Sequence, residues 1–267
     1  MIVSGDLTTR ADANRLFNEA LPFLRELSSQ LKIAREQIVI VPGNHDIPLK
    51  DHDPLTYSHE NAYATFLEAF YGTKVDVIQV RRFIIGGRSI ELLTMNSIRL
   101  RSKEQKEFGY VEWPLYESLL ENLPPSDAVR IAVLHHHLVP APREETPNPT
   151  YPEAAISITL DAGAIIEGLQ AHGFRLALHG HQHVPRLTKI ARGRVKDNSS
   201  GLAGLDEPLF VVGAGSVGTT RLFDEMRDNT YNLLFLGAAP DQPVRLLTRR
   251  FNPGSLPKSY IDQTFSL

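Results

Sequence analysis

The 267-residue sequence predicts an α/β fold, a two-sheet α/β sandwich with flanking helices. Three observations carry this reading. Strand and helix patterns alternate through the first two thirds of the chain. From about residue 209 onward the pattern is strand-rich. Four short polar motifs each follow an apolar run of strand type, as expected where open α/β sheets place their sites, beyond the carboxyl ends of the strands.

The elements follow in order. Residues 1–4 read as a short apolar strand ending in Gly5-Asp6. From Ala11 to Leu31 apolar side chains recur at helical spacing (Leu16, Phe17, Ala20, Leu24, Leu27, Leu31), and Pro22 predicts a kink or a break. Ile38 to Val41 is a β-branched strand ending at Pro42-Gly43. Strand, helix and strand in so short a span form a βαβ unit, which implies parallel pairing. Residues 47–58 form a polar loop, and His59 to Phe70 a helix. Phe83 to Ile85 and Ile90 to Met95 pair as a hairpin across Gly86-Gly87. Val111 to Leu120 is helical, Ile131 to Leu134 a strand, and 140–152 a Pro-rich loop that is either a lid or plain surface. Asp161 to Ala171 is a helix whose acidic first residue suits an N-cap. Leu176 to Leu178, Leu187 to Ile190, Leu209 to Val212, Tyr231 to Leu236 and Val244 to Phe251 are strands, with a polar linker over 192–208. One domain over 1–267 fits the length better than two.

Composition narrows the chemistry. Hydrophobic residues make up 42% and charged residues 22%, an ordinary globular balance. A net charge of −3 argues against nucleic-acid binding driven by counterion release over the whole surface. The basic stretches Arg99, Arg101, Lys103, Lys106 and Arg186, Lys189, Arg192, Arg194, Lys196 read as solvated faces. With no cysteine there are no disulfides and no thiolate metal sites. No run approaches the about 18 apolar residues of a membrane span, and no basic leader opens the chain, so the expected setting is the cytoplasm, without a membrane partner.

The motifs are Gly5-Asp6, Gly43-Asn44-His45-Asp46, His135-His136-His137 and Gly180-His181-Gln182-His183. A carboxylate such as Asp6 can give one oxygen to each of two cations, although Gly-Asp alone equally reads as a turn. Asn44 is a neutral oxygen ligand after a buried strand and a Gly. Beside it, the imidazole of His45 suits proton transfer, and Asp46 suits orienting His45 or a ligand. At the strand end, His135 is the expected ligand; His136 and His137 are read as structural or solvent-facing. In His181-Gln182-His183 an extended backbone would point both imidazoles to one side, to grip one ion or serve two. His179 reads as structural, and His52, His59 and His172 as surface residues. Imidazole, carboxylate and amide donors without sulfur suit Mn, Fe or Zn.

These four blocks, in this order, resemble the calcineurin-like metallophosphoesterase superfamily over about residues 1–220. The stretch Leu93-Thr94-Met95-Asn96-Ser97 is similar to the family's strand before its middle helix. The resemblance implies two divalent metal ions: Asp6 bridging, Asn44, His135 and His181 completing one site, and His183 on the other. It implies His45 as general acid or stabiliser of the transferring phosphoryl group, and hydrolysis of a phosphoester by a water whose pKa the metals lower. The expected substrate is a small phosphoester, first a diester such as a cyclic nucleotide or a glycerophosphodiester; monoesterase and nuclease activities are the alternatives.

One part of the family pattern has no counterpart. Its leading Asp-x-His, which would ligate the same ion as His183, does not precede Asp6, five residues into the chain. The strand that would carry it is expected to be missing from the sheet, through a start assigned too late or a truncation. Two alternatives are a short form that binds metal without catalysis, and substitution by Asp51, His52 or Asp53.

Overall fold

The computed structural model describes residues 1–9, 13–47, 60–99, 108–140, 157–195, 202–205, 207–218, 228–239, 242–252, 254 and 256–267. The first half of the chain contains β1 (Ile2–Val3), α1 (Ala13–Arg15), a π-helical turn (Leu16–Ala20), α2 (Leu21–Leu31), a 3-10 turn (Arg35–Gln37), β2 (Val39–Ile40), α3 (Glu60–Tyr71), β3 (Gln79–Ile85), β4 (Arg88–Thr94), α4 (Pro114–Glu121) and β5 (Val129–Val133). Then come α5 (Ala162–Ala171), β6 (Phe174–His179), β7 (Arg186–Ile190), β8 (Gly193–Val195), β9 (Leu202–Leu205), β10 (Leu209–Gly213), β11 (Asn229–Phe235), β12 (Val244–Phe251) and β13 (Lys258–Phe265).

Six strands form the main sheet in the order β3-β4-β5-β6-β10-β7. The inner four run parallel and the two edge strands antiparallel. Such strands are buried on both sides, so their sequences are apolar throughout. Alternation then sorts side chains between two cores. Leu93, Ala132, Ala177 and Val211 meet Tyr116, Leu120, Ile165 and Leu169 of α4 and α5. Their neighbours Leu92, Ile131, Leu178 and Val212 face a second β-layer through Val39, Val41 and Leu246. That layer holds the parallel pair β1-β2 and the antiparallel sheet β11-β12-β13. On its far side Ile38 and Ile40 pack against Leu16, Leu24, Phe66 and Phe70 of the N-terminal helices. Two β-layers between two helical layers are the predicted sandwich.

Several local readings are corrected. Of the kink or break expected at Pro22, the break is absent. The turn before it widens to π, with the Leu21 N–H reaching the Leu16 carbonyl, and Ala20 and Leu21 keep right-handed helical angles. A π turn shifts the hydrogen-bond register, which absorbs the donor that proline lacks. The helix expected from Val111 starts at Pro114, a residue suited to a first helical position. Asp161 sits at the head of α5 but does not cap it with its side chain. Its carboxylate instead accepts the Val111 and Trp113 N–H groups, both at 3.1 Å, and so ties α5 to the approach of α4. Arg99 is no solvated cation; it is buried and paired with Glu112 at 2.9 Å. The linker over 192–208 contains the antiparallel pair β8-β9, and β13 was not expected at all. The polar loop 48–58, with Asp51, His52 and Asp53, and His59 lie outside the described residues, as do residues 141–156 and Arg101, Lys103, Lys106 and Lys196.

Candidate metal centre

Parallel pairing brings the motifs together. β1 pairs with β2, and β5 with β6, each in parallel register, so both pairs deliver their carboxyl ends in common directions. Ser4-Gly5-Asp6 leaves β1, Gly43-Asn44-His45-Asp46 follows β2, His135 follows β5, and Gly180-His181 follows β6. The first two turns touch backbone to backbone. A Cβ on Gly5 would lie 2.7 Å from the Gly43 Cα, and one on Gly43 would lie 2.1 Å from the Asp6 carboxylate. Only glycine permits that approach.

The donor atoms converge on one nitrogen. Around His135 Nε2 stand Asn44 Oδ1 at 3.0 Å, His181 Nδ1 at 3.1 Å and Asp6 Oδ2 at 3.4 Å. Ligand atoms of Asp6, His135 and His181 all lie within 4.8 Å of one another. The other ring nitrogen of His135 fixes the tautomer. Its Nδ1 meets the Ser4 carbonyl at 2.6 Å, and a carbonyl only accepts, so Nδ1 carries the proton. Nε2 is then the His135 atom that faces the amide oxygen and the carboxylate. A ring N–H given to a backbone carbonyl is the usual way of orienting a metal-binding imidazole. The convergence of an amide oxygen, a carboxylate and two imidazoles is a donor set that could hold a metal ion.

Backbone conformation marks the same residues. Asp6, His181 and His183 adopt left-handed φ angles of 56°, 67° and 55°. Non-glycine residues occupy this region at a cost, and such strain gathers at functional sites. It also corrects the extended reading of 181–183. The strand ends at His179, and His181 and His183 are left-handed rather than extended. His181 enters the cluster, whereas His183 stands outside it, half buried.

Charge follows geometry. Burial opposes ionisation of Asp6, but the charge and hydrogen bond of His135, with His45 beside it, hold its pKa well below the usual carboxylate range. Burial likewise opposes the charged form of His135, yet Asp6 and the Ser4 carbonyl raise its pKa. His181 is driven well below its ordinary value, by burial first and then by His135. His183 is lowered mainly by burial.

The remaining motif residues divide the work. His45 is exposed and donates its backbone N–H to Asp6 Oδ1 at 2.9 Å. Asp46 turns to the backbone of the two glycine turns. Fully buried, its carboxylate accepts the Gly43 N–H at 2.9 Å and the Thr8 N–H at 3.1 Å, pinning the two glycine turns together. Its pKa is pushed up to about 7, by burial and then by Asp6. His136 and His137 do not face solvent; both are buried. The His136 Nδ1 lies 3.0 Å from Ser97 Oγ, and its ring packs 4.4 Å from the His181 ring. His179 is buried, with a pKa near 3 set first by burial. His172 is half buried on Gly168. Reading the sequence overlooked Ser4, Thr8, Ser97 and Ser157, the last bonded to Gln182. Ser4 and Thr8 flank the Gly5-Asp6 motif and Ser97 ends the family-like stretch from Leu93, which were the available signals; nothing local marks Ser157.

A family model described as calcineurin-like phosphoesterase matches residues 1–185. Among curated proteins, none matches this chain. Purple acid phosphatase PPD1 from yellow lupin (Lupinus luteus) seeds is similar over 99% of this chain and 46% of its own, with 13% identity and a TM-score of 0.52. The chain thus spans less than half of that enzyme, and the likeness is one of fold. Phosphopantetheinyl hydrolase (PptH) from Mycobacterium tuberculosis is similar over 80% of this chain and 78% of its own, with 17% identity and a TM-score of 0.45.

Proposed function

This chain belongs to the calcineurin-like phosphoesterase family, and on that premise we propose that it hydrolyses a small phosphodiester, such as a cyclic nucleotide or a glycerophosphodiester, with two divalent cations at the sheet ends. The observation that carries the reading is the gathering of Asp6, Asn44 and His181 around His135 Nε2. Asp6, Asn44, His135 and His181 would hold one cation, and Asp6 with His183 would contribute to the second. When bound, such cations supply Lewis-acid charge to phosphate oxygens and lower the pKa of a water toward neutrality.

The chain's own residues supply the rest. His135 keeps its proton on Nδ1, against Ser4, and leaves Nε2 as a donor of electrons. Asp6 stays ionised across the physiological range. His45, exposed beside them, is the group to pass a proton to the leaving oxygen, a contribution of about 10²–10⁴-fold.

Hydrolysis of bis(para-nitrophenyl) phosphate and para-nitrophenyl phosphate in Mn²⁺ tests the substrate class. Faster turnover of the diester supports the proposal, and faster turnover of the monoester overturns it. One observation favours a second reading, a non-catalytic module holding a single ion: among the described residues, only one group of three convergent ligands is present. One ion or none per chain, with neither ester cleaved, would establish that reading.

A further inference from the structure

We propose that Thr8 is a positioning residue for His45, acting through the backbone on either side of the histidine. The inference rests on His45 being the proton donor. Its ring is exposed, so packing does little to aim it; the backbone must do so. Residues 43–46 form a closed turn, with the Asp46 N–H on the Gly43 carbonyl at 3.0 Å. His45 is third in that turn, and both of its backbone polar groups are held by the Asp6–Thr8 turn. Its N–H goes to Asp6 Oδ1 at 2.9 Å, and its carbonyl accepts the Thr8 hydroxyl at 2.5 Å.

The hydroxyl has one proton to give. Asp46 Oδ1 is a second acceptor, but it lies 3.5 Å away, so the His45 carbonyl is the better placed of the two. Thr8 is buried, and its own N–H is on Asp46 Oδ1 at 3.1 Å, which fixes the side chain from the other end. The outcome is a clamp: Asp6 holds one peptide group of His45 and Thr8 holds the next. Removing the hydroxyl frees the second and lets the imidazole wander. Small displacements of a reacting group can cost about 100-fold in rate.

The test separates aiming from folding. Thr8→Val keeps the shape and deletes the hydroxyl; Thr8→Ser keeps the hydroxyl. A mis-aimed proton donor matters most for a poor leaving group. Turnover of methyl phenyl phosphate should fall about 10-fold in Thr8→Val, whereas turnover of methyl para-nitrophenyl phosphate should change by less than about 3-fold. Thr8→Ser should restore both, and bound metal should be unchanged in both variants. His45→Ala, run alongside, should show the same leaving-group dependence more strongly. If His45→Ala shows none, the histidine is not the proton donor, and the inference falls with that reading. If His45→Ala shows it and Thr8→Val loses both substrates equally, only the role of Thr8 is overturned. A second readout needs no turnover. ¹³C relaxation of the His45 imidazole in the metal-free protein should report one orientation in wild type and averaging in Thr8→Val, with His135 and His181 unaltered. Identical relaxation in the two proteins would overturn the proposal, even for a chain that cleaves neither ester.

Discussion

At the scale of single residues, the division between holding cations and moving protons is open to direct measurement. Asp6 is ionised and faces His135 Nε2 at 3.4 Å. Asp6→Asn keeps the shape and removes the charge. We expect metal affinity to fall by at least about 100-fold, the upper end of what outer partners of a ligand contribute. Titration of the metal-free protein with Mn²⁺ checks this. His45 makes the contrasting case. His45→Ala should lower turnover by about 10²–10⁴-fold while bound metal stays at the wild-type level, and equal losses of both would contradict its assignment. Much of this was legible in the sequence, because a strand followed by a Gly and a polar residue marks a sheet end. The conformations were not. Left-handed angles at Asp6, His181 and His183 come from the way the turns meet, which no local pattern encodes. Asp46 shows the same limit: adjacency leaves open whether it orients His45 or a ligand, and only the fold supplies its partners, the Thr8 and Gly43 N–H groups.

At the scale of elements, cross-strand pairing explains what holds the far end of the sheet. Arg82, Glu91 and Arg130 occupy one row across β3, β4 and β5. The buried Glu91 carboxylate takes Arg82 Nε at 3.1 Å and Arg130 Nε at 2.9 Å. Burial opposes its ionisation, but the two guanidinium groups outweigh that and hold its pKa below the ordinary 4.5. A carboxylate with a depressed pKa adds stability above its unfolded value and loses it as pH falls through the folded one. Unfolding free energy should therefore drop as pH is lowered from 4.5. Glu91→Gln should flatten that slope and cost about 1–3 kcal/mol at neutral pH. Denaturant melts across the acid range measure both. A second element-scale test lies at the α4–α5 seat, where a Cβ on Gly168 would fall 1.9 Å from the Trp113 indole. Gly168→Ala should destabilise by about 1–3 kcal/mol, the usual cost of overpacking, despite alanine's better helix propensity. Helix and strand types were readable from periodicity, but three features were not. The π turn before Pro22, the diversion of Asp161 from cap to bridge, and the start of α4 at Pro114 are each decided by a partner distant in sequence or by hydrogen-bond register. β13 was missed because its outward positions are polar and only Ile261 and Phe265 reach the core.

At the scale of the whole molecule, the two-sheet sandwich sets the site. Four loops from two β-layers meet only because the layers pack, so a cation bound among them should stabilise the whole fold. An ion at a hundred times its Kd adds about 2.7 kcal/mol. For a chain of this size each kcal/mol shifts Tm by about 2–4 °C, so chelation should lower Tm by about 5–11 °C. Among the described residues no helix is long and apolar enough to cross a membrane. The layered architecture was readable because buried parallel strands write continuous apolar runs, and sheet ends write polar motifs. The parallel β1-β2 pair and the β3-β4 hairpin were readable as well, but the order of the remaining strands was not, since it is set by packing. A crystal grown in Mn²⁺ and measured for anomalous scattering tests the centre most directly. The account predicts a peak within ligand distance of Asp6, Asn44, His135 and His181; a map with no peak among those four side chains, in crystals that bind the ion elsewhere or not at all, would contradict it.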